Sequence, residues 1–148
     1  MFKAFAQLHS DTSIATRLQA AVRPSPALFA DIVEASPRLV MLRTMGKTRH
    51  LDRLLACEAW GEAAMAMIGL EAPCWNLQRL RRDDGEWVCT LTRFTELPDW
   101  LDDGAEGRHP VMALAILAAL LEVRARPQQA ETEISQAAGA AADASDYR

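Results

Sequence analysis

The order of apolar and polar positions divides the chain into a helical first half and a mixed second half. Apolar residues first recur at every fourth position, the spacing of one helix face: Ile14, Leu18 and Val22. Two Ser-Pro pairs follow, beginning at Ser25 and Ser36. A serine cap with proline in the first turn is typical of a helix start. The pattern therefore predicts a helix over about 11–22, a second helix from residue 26 and a new segment from residue 37.

The next two segments differ in how clearly their pattern indicates a structure. Residues 38–43 are too few for periodicity to distinguish a short helix from a strand, so both alternatives stay open. Beyond Gly46, Thr48 can cap a helix, and apolar residues continue at helical spacing to about residue 70. We predict one long helix over 48–70. Gly61 lies within it and favours either a kink or a close contact with another helix.

A β-hairpin is the clearest local prediction in the second half. Two strand-like segments, 75–82 and 86–95, flank the triplet Asp83-Asp84-Gly85. A three-residue loop that ends in glycine suits a type I turn closed by a G1 bulge. Two strands alone are marginally stable in water, so we expect the hairpin to pack on helices or to gain a third strand.

The three-residue loop fixes the register of the hairpin. It sets Leu77 opposite Leu91 and Arg81 opposite Trp87, with Arg79 on the face that carries the tryptophans. This register predicts a cation–π pair between Arg81 and Trp87. Because a charged residue is costly in a core, we expect that face to be only partly buried.

The end of the chain combines one apolar segment with a polar one. Gly104 and Gly107 indicate a loose connection. Residues 111–126 are apolar almost all round, which predicts a long helix at the centre of the fold or in a subunit interface. Residues 127–148 are rich in alanine and polar residues and predict a disordered tail. The sequence thus predicts an α+β fold with one domain over 1–126 and a tail over 127–148.

The charge of the chain is small overall but unevenly distributed. The 148 residues are 50% hydrophobic and carry a net charge of -4, which gives no general attraction to nucleic acid or to an anionic membrane. Residues 36–53 nevertheless contain five basic residues against Asp52, and residues 96–106 contain five acidic residues and no basic one. We expect these segments to face each other or a partner.

Two features of the sequence indicate where the protein is located: its cysteines and its longest apolar run. The chain has three cysteines, an odd number with no C-x-x-C pair: Cys57, Cys74 and Cys89. This pattern disfavours a disulfide framework or a paired zinc site and favours a reducing, cytoplasmic location. The longest apolar run, 111–121, has eleven residues, fewer than the roughly 20 that a bilayer span needs. We therefore expect no membrane association.

One segment offers candidate metal ligands. Carboxylates and one imidazole occur together at Asp99, Asp102, Asp103, Glu106 and His109. Carboxylate oxygens suit hard cations, and imidazole suits transition metals. Their spacing does not match a calcium loop, so a solvated acidic loop is the alternative.

Basic residues supply the candidate partner-binding positions. They are Arg79, Arg81 and the neighbouring Trp87 on the hairpin, and Arg38, Arg43, Lys47, Arg49 and Arg53 in the basic segment. Stacking aromatic residues for single-stranded nucleic acid do not occur in the basic segment.

Three classes of function remain open. The sequence favours a non-enzymatic, cytosolic protein-interaction or regulatory module that binds a protein partner or forms a homodimer. The first alternative is a small metal-binding protein or enzyme that uses residues 99–109. The second is a nucleic-acid-binding regulator that uses residues 38–53. No catalytic set can be assembled from the sequence, and no cofactor is predicted.

Overall fold

A computed structural model describes residues 13–93 and 104–126. Over these ranges the chain forms six helices and one antiparallel sheet, which confirms the α+β class and the helical first half. The predicted tail over 127–148 lies outside them. The elements are α1 (residues 13–20), α2 (Pro26–Glu34), α3 (Pro37–Thr44), α4 (Arg49–Ala56), α5 (Trp60–Glu71), β1 (Asn76–Asp83), β2 (Glu86–Thr92), β3 (Ala105–His109) and α6 (Met112–Ala125).

Both Ser-Pro helix starts are confirmed. The Ser25 hydroxyl accepts the backbone N–H of Leu28 at 3.2 Å, and the Ser36 hydroxyl accepts that of Leu39 at 3.2 Å. Proline occupies the first turn of α2 and of α3. The segment 38–43 belongs to α3, so the helical alternative is the correct one.

One long helix over 48–70 is wrong, because the chain breaks between α4 and α5. Glu58 takes the left-handed conformation there, with a φ of 57°. Its N–H donates to the Leu55 carbonyl at 3.1 Å, and the N–H of Ala59 donates to the Leu54 carbonyl at 2.9 Å. This is the Schellman arrangement, in which glycine usually occupies the left-handed position. Because glutamate and not glycine occupies the left-handed position, the sequence gives no signal that the helix ends there.

The hairpin turn is one residue shorter than predicted. Asp84 and Gly85 have φ values of 52° and 81°. Two successive residues with positive φ are typical of a type I′ turn, whose twist matches that of the flanking strands. The turn joins Asp83 directly to Glu86, so the predicted three-residue loop is wrong.

A β-bulge restores the predicted register further from the turn. The register shifts by one residue between Leu77 and Arg79 of β1. Beyond that point Leu77 lies opposite Leu91, as predicted. The bulge therefore lets the short turn and the apolar pair occur in the same hairpin.

The third strand forms where a loose connection was predicted. Residues around Gly107 make β3, which pairs antiparallel with β2, so the strand order is β1-β2-β3. A Cβ at Gly107 would overlap the backbone of α6 at Ala115 and Ala119. The glycine is therefore required for the close contact between β3 and α6.

The helix α6 occupies the centre of the described fold. Nine successive residues, Ala113–Leu121, are buried. It contacts β2 and β3 as well as α5. A Cβ at Gly61 of α5 would lie 2.9 Å from the Cε of Met112, so the close helix contact is the correct alternative for this glycine. Neither α6 nor another helix within the described ranges is long and apolar enough to cross a membrane.

A buried ion pair joins three helices at the other end of α6. Glu71 of α5 and Arg124 of α6 are 11% and 8% exposed, and the Arg124 Nη2 donates to the Glu71 Oε2 at 2.7 Å. The same nitrogen donates to the carbonyl of Ile32 in α2 at 2.8 Å. Bidentate geometry with a further carbonyl acceptor is what makes a buried arginine tolerable.

The close contact at Gly107 predicts a strong effect of one methyl group. Gly107→Ala should lower the free energy of unfolding by about 3 kcal/mol, because the Cβ would meet helix backbone that cannot move aside. Gly69→Ala is the matched control: a Cβ there meets no atom within 4 Å, and the change should stabilise α5 by about 0.5–1 kcal/mol. Denaturant unfolding measures both. Equal effects would contradict the β3–α6 contact.

The buried ion pair predicts that two glutamate substitutions differ in their cost to stability. Glu71→Ala should cost about 3–5 kcal/mol, because it leaves the Arg124 charge buried without its carboxylate. The control is Glu34→Ala, which removes a half-exposed partner of Arg43 and should cost no more than about 1 kcal/mol. Thermal and denaturant unfolding of the two variants give the comparison. A cost for Glu71→Ala as small as that for Glu34→Ala would show that the pair is not buried in solution.

Candidate interaction surface

The strand β1 has one edge without a partner. It pairs with β2 on one side only, and no strand of the described ranges pairs with its other side. Seven of its eight residues are exposed, and Leu80 is half-buried. The helix α6 packs against β2 and β3. β1 is thus the strand on the side of β2 away from β3, and its outer edge is open among the described residues.

The hairpin register determines which backbone groups face that edge. In a two-residue hairpin the closing pair, here Asp83 and Glu86, exchanges both of its hydrogen bonds. Orientation alternates along a strand, so Arg81 directs its N–H and C=O groups toward β2. Leu80 and Arg82 direct theirs away from it. The open edge therefore presents main-chain donors and acceptors at these two positions.

The same register places the hairpin arginines on different faces. Arg82 lies opposite Trp87, on the face that packs toward α6, so the predicted pair of Arg81 with Trp87 is wrong. Arg81 lies opposite Val88 and shares the outer face with Arg79. Arg79 is thus not on the tryptophan face. The one-residue difference in the turn causes both corrections, because it moves the side chains between the turn and the bulge to the other face.

Acidic residues on the outer face are concentrated around Arg108 of β3. The Arg108 Nε donates to Glu106 at 2.8 Å, and this hydrogen bond raises the pKa of Arg108, as do the charges of Glu106, Asp83 and Glu86. The Arg81 Nη2 lies 3.9 Å from the Asp83 Oδ2, so these two side chains form an ion pair.

The other two arginines of the edge strand remain without acidic partners. Arg79 and Arg82 form no ion pair with any residue of 13–93 or 104–126. Arg79 lies on the outer face of the sheet and Arg82 on the inner face. Each face of the open edge therefore carries one unpaired guanidinium group.

The five basic residues of the basic segment differ in their partners. The Arg38 Nε donates to the Leu70 carbonyl at 2.9 Å, and Arg43 pairs with Glu34, so both serve the fold. The other three are exposed and form no ion pair within the described part of the chain: Lys47, Arg49 and Arg53.

The two described members of the predicted metal set do not lie together. Glu106 is exposed on the outer face of β3, whereas His109 is 2% exposed and faces the core. The other three members, Asp99, Asp102 and Asp103, lie outside the described residues. Over the residues that are described, no three histidine, cysteine or acidic side chains are placed to hold a metal ion.

His109 instead holds the connection between β3 and α6. Its Nδ1 accepts the backbone N–H of Val111 at 3.0 Å. Its Nε2 is buried and finds no hydrogen-bond partner among the described residues. The imidazole therefore acts as a local backbone acceptor in the turn between the strand and the helix.

A stacked arrangement around Trp75 was not predicted from the sequence. The guanidinium groups of Arg93 and Arg126 lie 5.0 Å and 5.8 Å from the centre of its ring. Arg126 also donates to the Gly104 carbonyl at 2.6 Å. These contacts join the end of α6 to the residue before β1 and help to hold the open strand in place. The pattern of apolar and polar residues does not predict the contact of Arg126 with Trp75, because these two residues lie far apart in the chain.

The cysteines differ in exposure. Cys57 and Cys74 are exposed, whereas Cys89 is buried in β2. Burial raises the pKa of the Cys89 thiol to about 11. Its thiol stays protonated at neutral pH and behaves as a small apolar core group.

Comparisons with known proteins assign no family to this chain. No protein-family profile, curated protein or solved structure matches it. Functional interpretation therefore depends on the surface itself, which offers main-chain hydrogen-bonding groups and two unpaired guanidinium groups. Such a surface can bind an extended polypeptide segment.

The difference among the cysteines predicts their reactivity. At pH 7.5 a thiol reagent should modify two of the three cysteines in the native protein, because Cys57 and Cys74 are exposed and Cys89 is not. Raising the pH to 9 should add no third thiol, since the pKa of Cys89 is about 11. A Cys89→Ser variant is the control and should give the same native count. Rapid modification of all three would contradict the burial of β2.

Proposed function

We propose that this chain is a non-enzymatic, cytoplasmic protein-interaction module whose docking element is the open edge of β1. The observation that carries the proposal is the edge itself: eight residues, exposed along nearly their whole length and paired on one side within the described part of the chain. An extended segment of a partner can add to such an edge as a further strand. The exposed free cysteines Cys57 and Cys74 agree with a reducing compartment.

The form of β1 supports docking over a purely structural role. Proteins commonly protect sheet edges by shortening or covering them, by inserting proline or a bulge, or by charged side chains such as the arginines of β1. β1 contains no proline. Its bulge lies near the start, between Leu77 and Arg79, and leaves Arg79–Asp83 in regular register. This regular part has the geometry that an added strand needs.

Replacing one residue can test docking through the main chain. Arg82→Pro removes an N–H that points away from β2, a position where an edge strand tolerates proline. Arg82→Ala removes the same side chain but keeps the N–H. Baits of the wild type and both variants should be used for affinity capture from the native host, with quantitative mass spectrometry. We expect a set of proteins that wild type and Arg82→Ala retain and that Arg82→Pro loses at least about tenfold.

Two controls make this comparison decisive. Thermal unfolding should show that Arg82→Pro is folded before capture is interpreted. Hydrogen exchange should show slower exchange of the Leu80 and Arg82 amides in the complex than in the free protein, because an added strand would bond to them. Capture of the same proteins in the same amounts by all three baits would contradict docking at this edge.

A further inference from the structure

The charge along the open edge selects which segment it can accept, provided that the edge is a docking site as proposed above. β1 carries three arginines, Arg79, Arg81 and Arg82, against one acidic residue, Asp83. Arg79 and Arg81 lie on the outer face of the strand, whereas its inner face carries Leu77 and Leu80, with Arg82 close to the turn. An occupant must therefore place side chains next to positive charge on the outer face and next to mainly apolar side chains on the inner face.

A second copy of β1 fits this edge poorly. Two copies that pair antiparallel across a two-fold axis set residues symmetrically about the central position. With the centre at Arg79, at Arg81 or at Arg82, that arginine meets its own copy, and with the centre at Leu80, Arg79 meets Arg81 of the other copy. Centres at Arg81 and at Arg82 also set Asp83 opposite an arginine of the other copy, which offsets part of this repulsion. Like charges directly opposite each other destabilise a sheet, so each of these registers contains at least one unfavourable arginine pair.

An acidic extended segment removes that repulsion. Side chains of an added strand alternate between the faces. Acidic residues at every second position would lie beside Arg79 and Arg81 on the outer face. Apolar residues between them would lie beside half-buried Leu80 and beside Leu77, which is 38% exposed. The pattern that fits is thus an acidic residue alternating with an apolar one.

We infer that the open edge of β1 binds an extended segment of another protein in which acidic and apolar residues alternate, in preference to a second copy of this chain. Self-pairing sets at least one arginine opposite another in each of these registers, whereas an acidic segment places carboxylates beside the outer-face arginines. Main-chain hydrogen bonds at Leu80 and Arg82 would hold the segment in register.

Synthetic peptides of defined charge test this inference. The probes are capped, fluorescein-labelled octapeptides, one alternating glutamate with valine and one alternating lysine with valine. Fluorescence anisotropy should show that wild type binds the glutamate peptide at least about tenfold more tightly than the lysine peptide. In the double variant Arg79→Glu with Arg81→Glu this order should reverse. Arg82→Pro should weaken binding of the glutamate peptide much more than Arg82→Ala does.

The outcomes separate the inference from the proposed function. Equal affinity for both peptides, still lost in Arg82→Pro, would overturn the charge selection and leave strand docking intact. A dimer in light scattering that Arg82→Pro converts to a monomer would overturn the choice of occupant. Binding of the glutamate peptide that is unaffected by Arg82→Pro would show attraction by charge alone and overturn the inference. Failure of the wild type to bind either peptide would overturn it as well, whereas the capture experiment alone judges the proposed function.

Discussion

The backbone contact between Gly107 and α6 is the constraint on which the other parts of the fold depend. Because Gly107 lacks a side chain, β3 lies directly against the helix at Ala115 and Ala119. That position makes β2 the central strand and lets it pack over α6. β1 then pairs on the side of β2 away from β3 and forms the other edge of the sheet. The open edge is a consequence of how closely the opposite edge strand packs.

Charged residues have separate roles inside and outside this framework. Glu71 and Arg124 satisfy each other in the interior, where an unpaired charge would be costly. On the sheet, the carboxylates of Glu106, Asp83 and Glu86 stabilise the positive charge of Arg108. Arg79 and Arg82 have no acidic partner among the described residues. The surroundings of each arginine therefore determine its role: Arg124 stabilises the interior through Glu71, whereas Arg79 and Arg82 lie on the surface.

Local signals made part of the structure predictable, and long-range contacts did not. Ser25 and Ser36 cap helices by accepting the N–H of the residue three positions later. The sequence reveals such a cap because all the residues involved are close together in the chain. The left-handed Glu58 and the bulge after Leu77 give no such signal, because neither position carries the glycine that often marks these conformations. Arg79 and Arg81 could be recognised as a basic pair. Their face and the open edge could not, because both depend on the turn register and on β3.

The bond from Arg124 to the Ile32 carbonyl also bears on how the chain folds during synthesis. These residues are 92 positions apart, and α6 contributes nine successive buried residues to the core. α5 is complete before the ribosome has made α6, the helix against which it packs. Until then the face of α5 that contacts α6 is exposed, a state that favours binding by chaperones. The central helix is thus the last described element to be synthesised and the one that closes the fold.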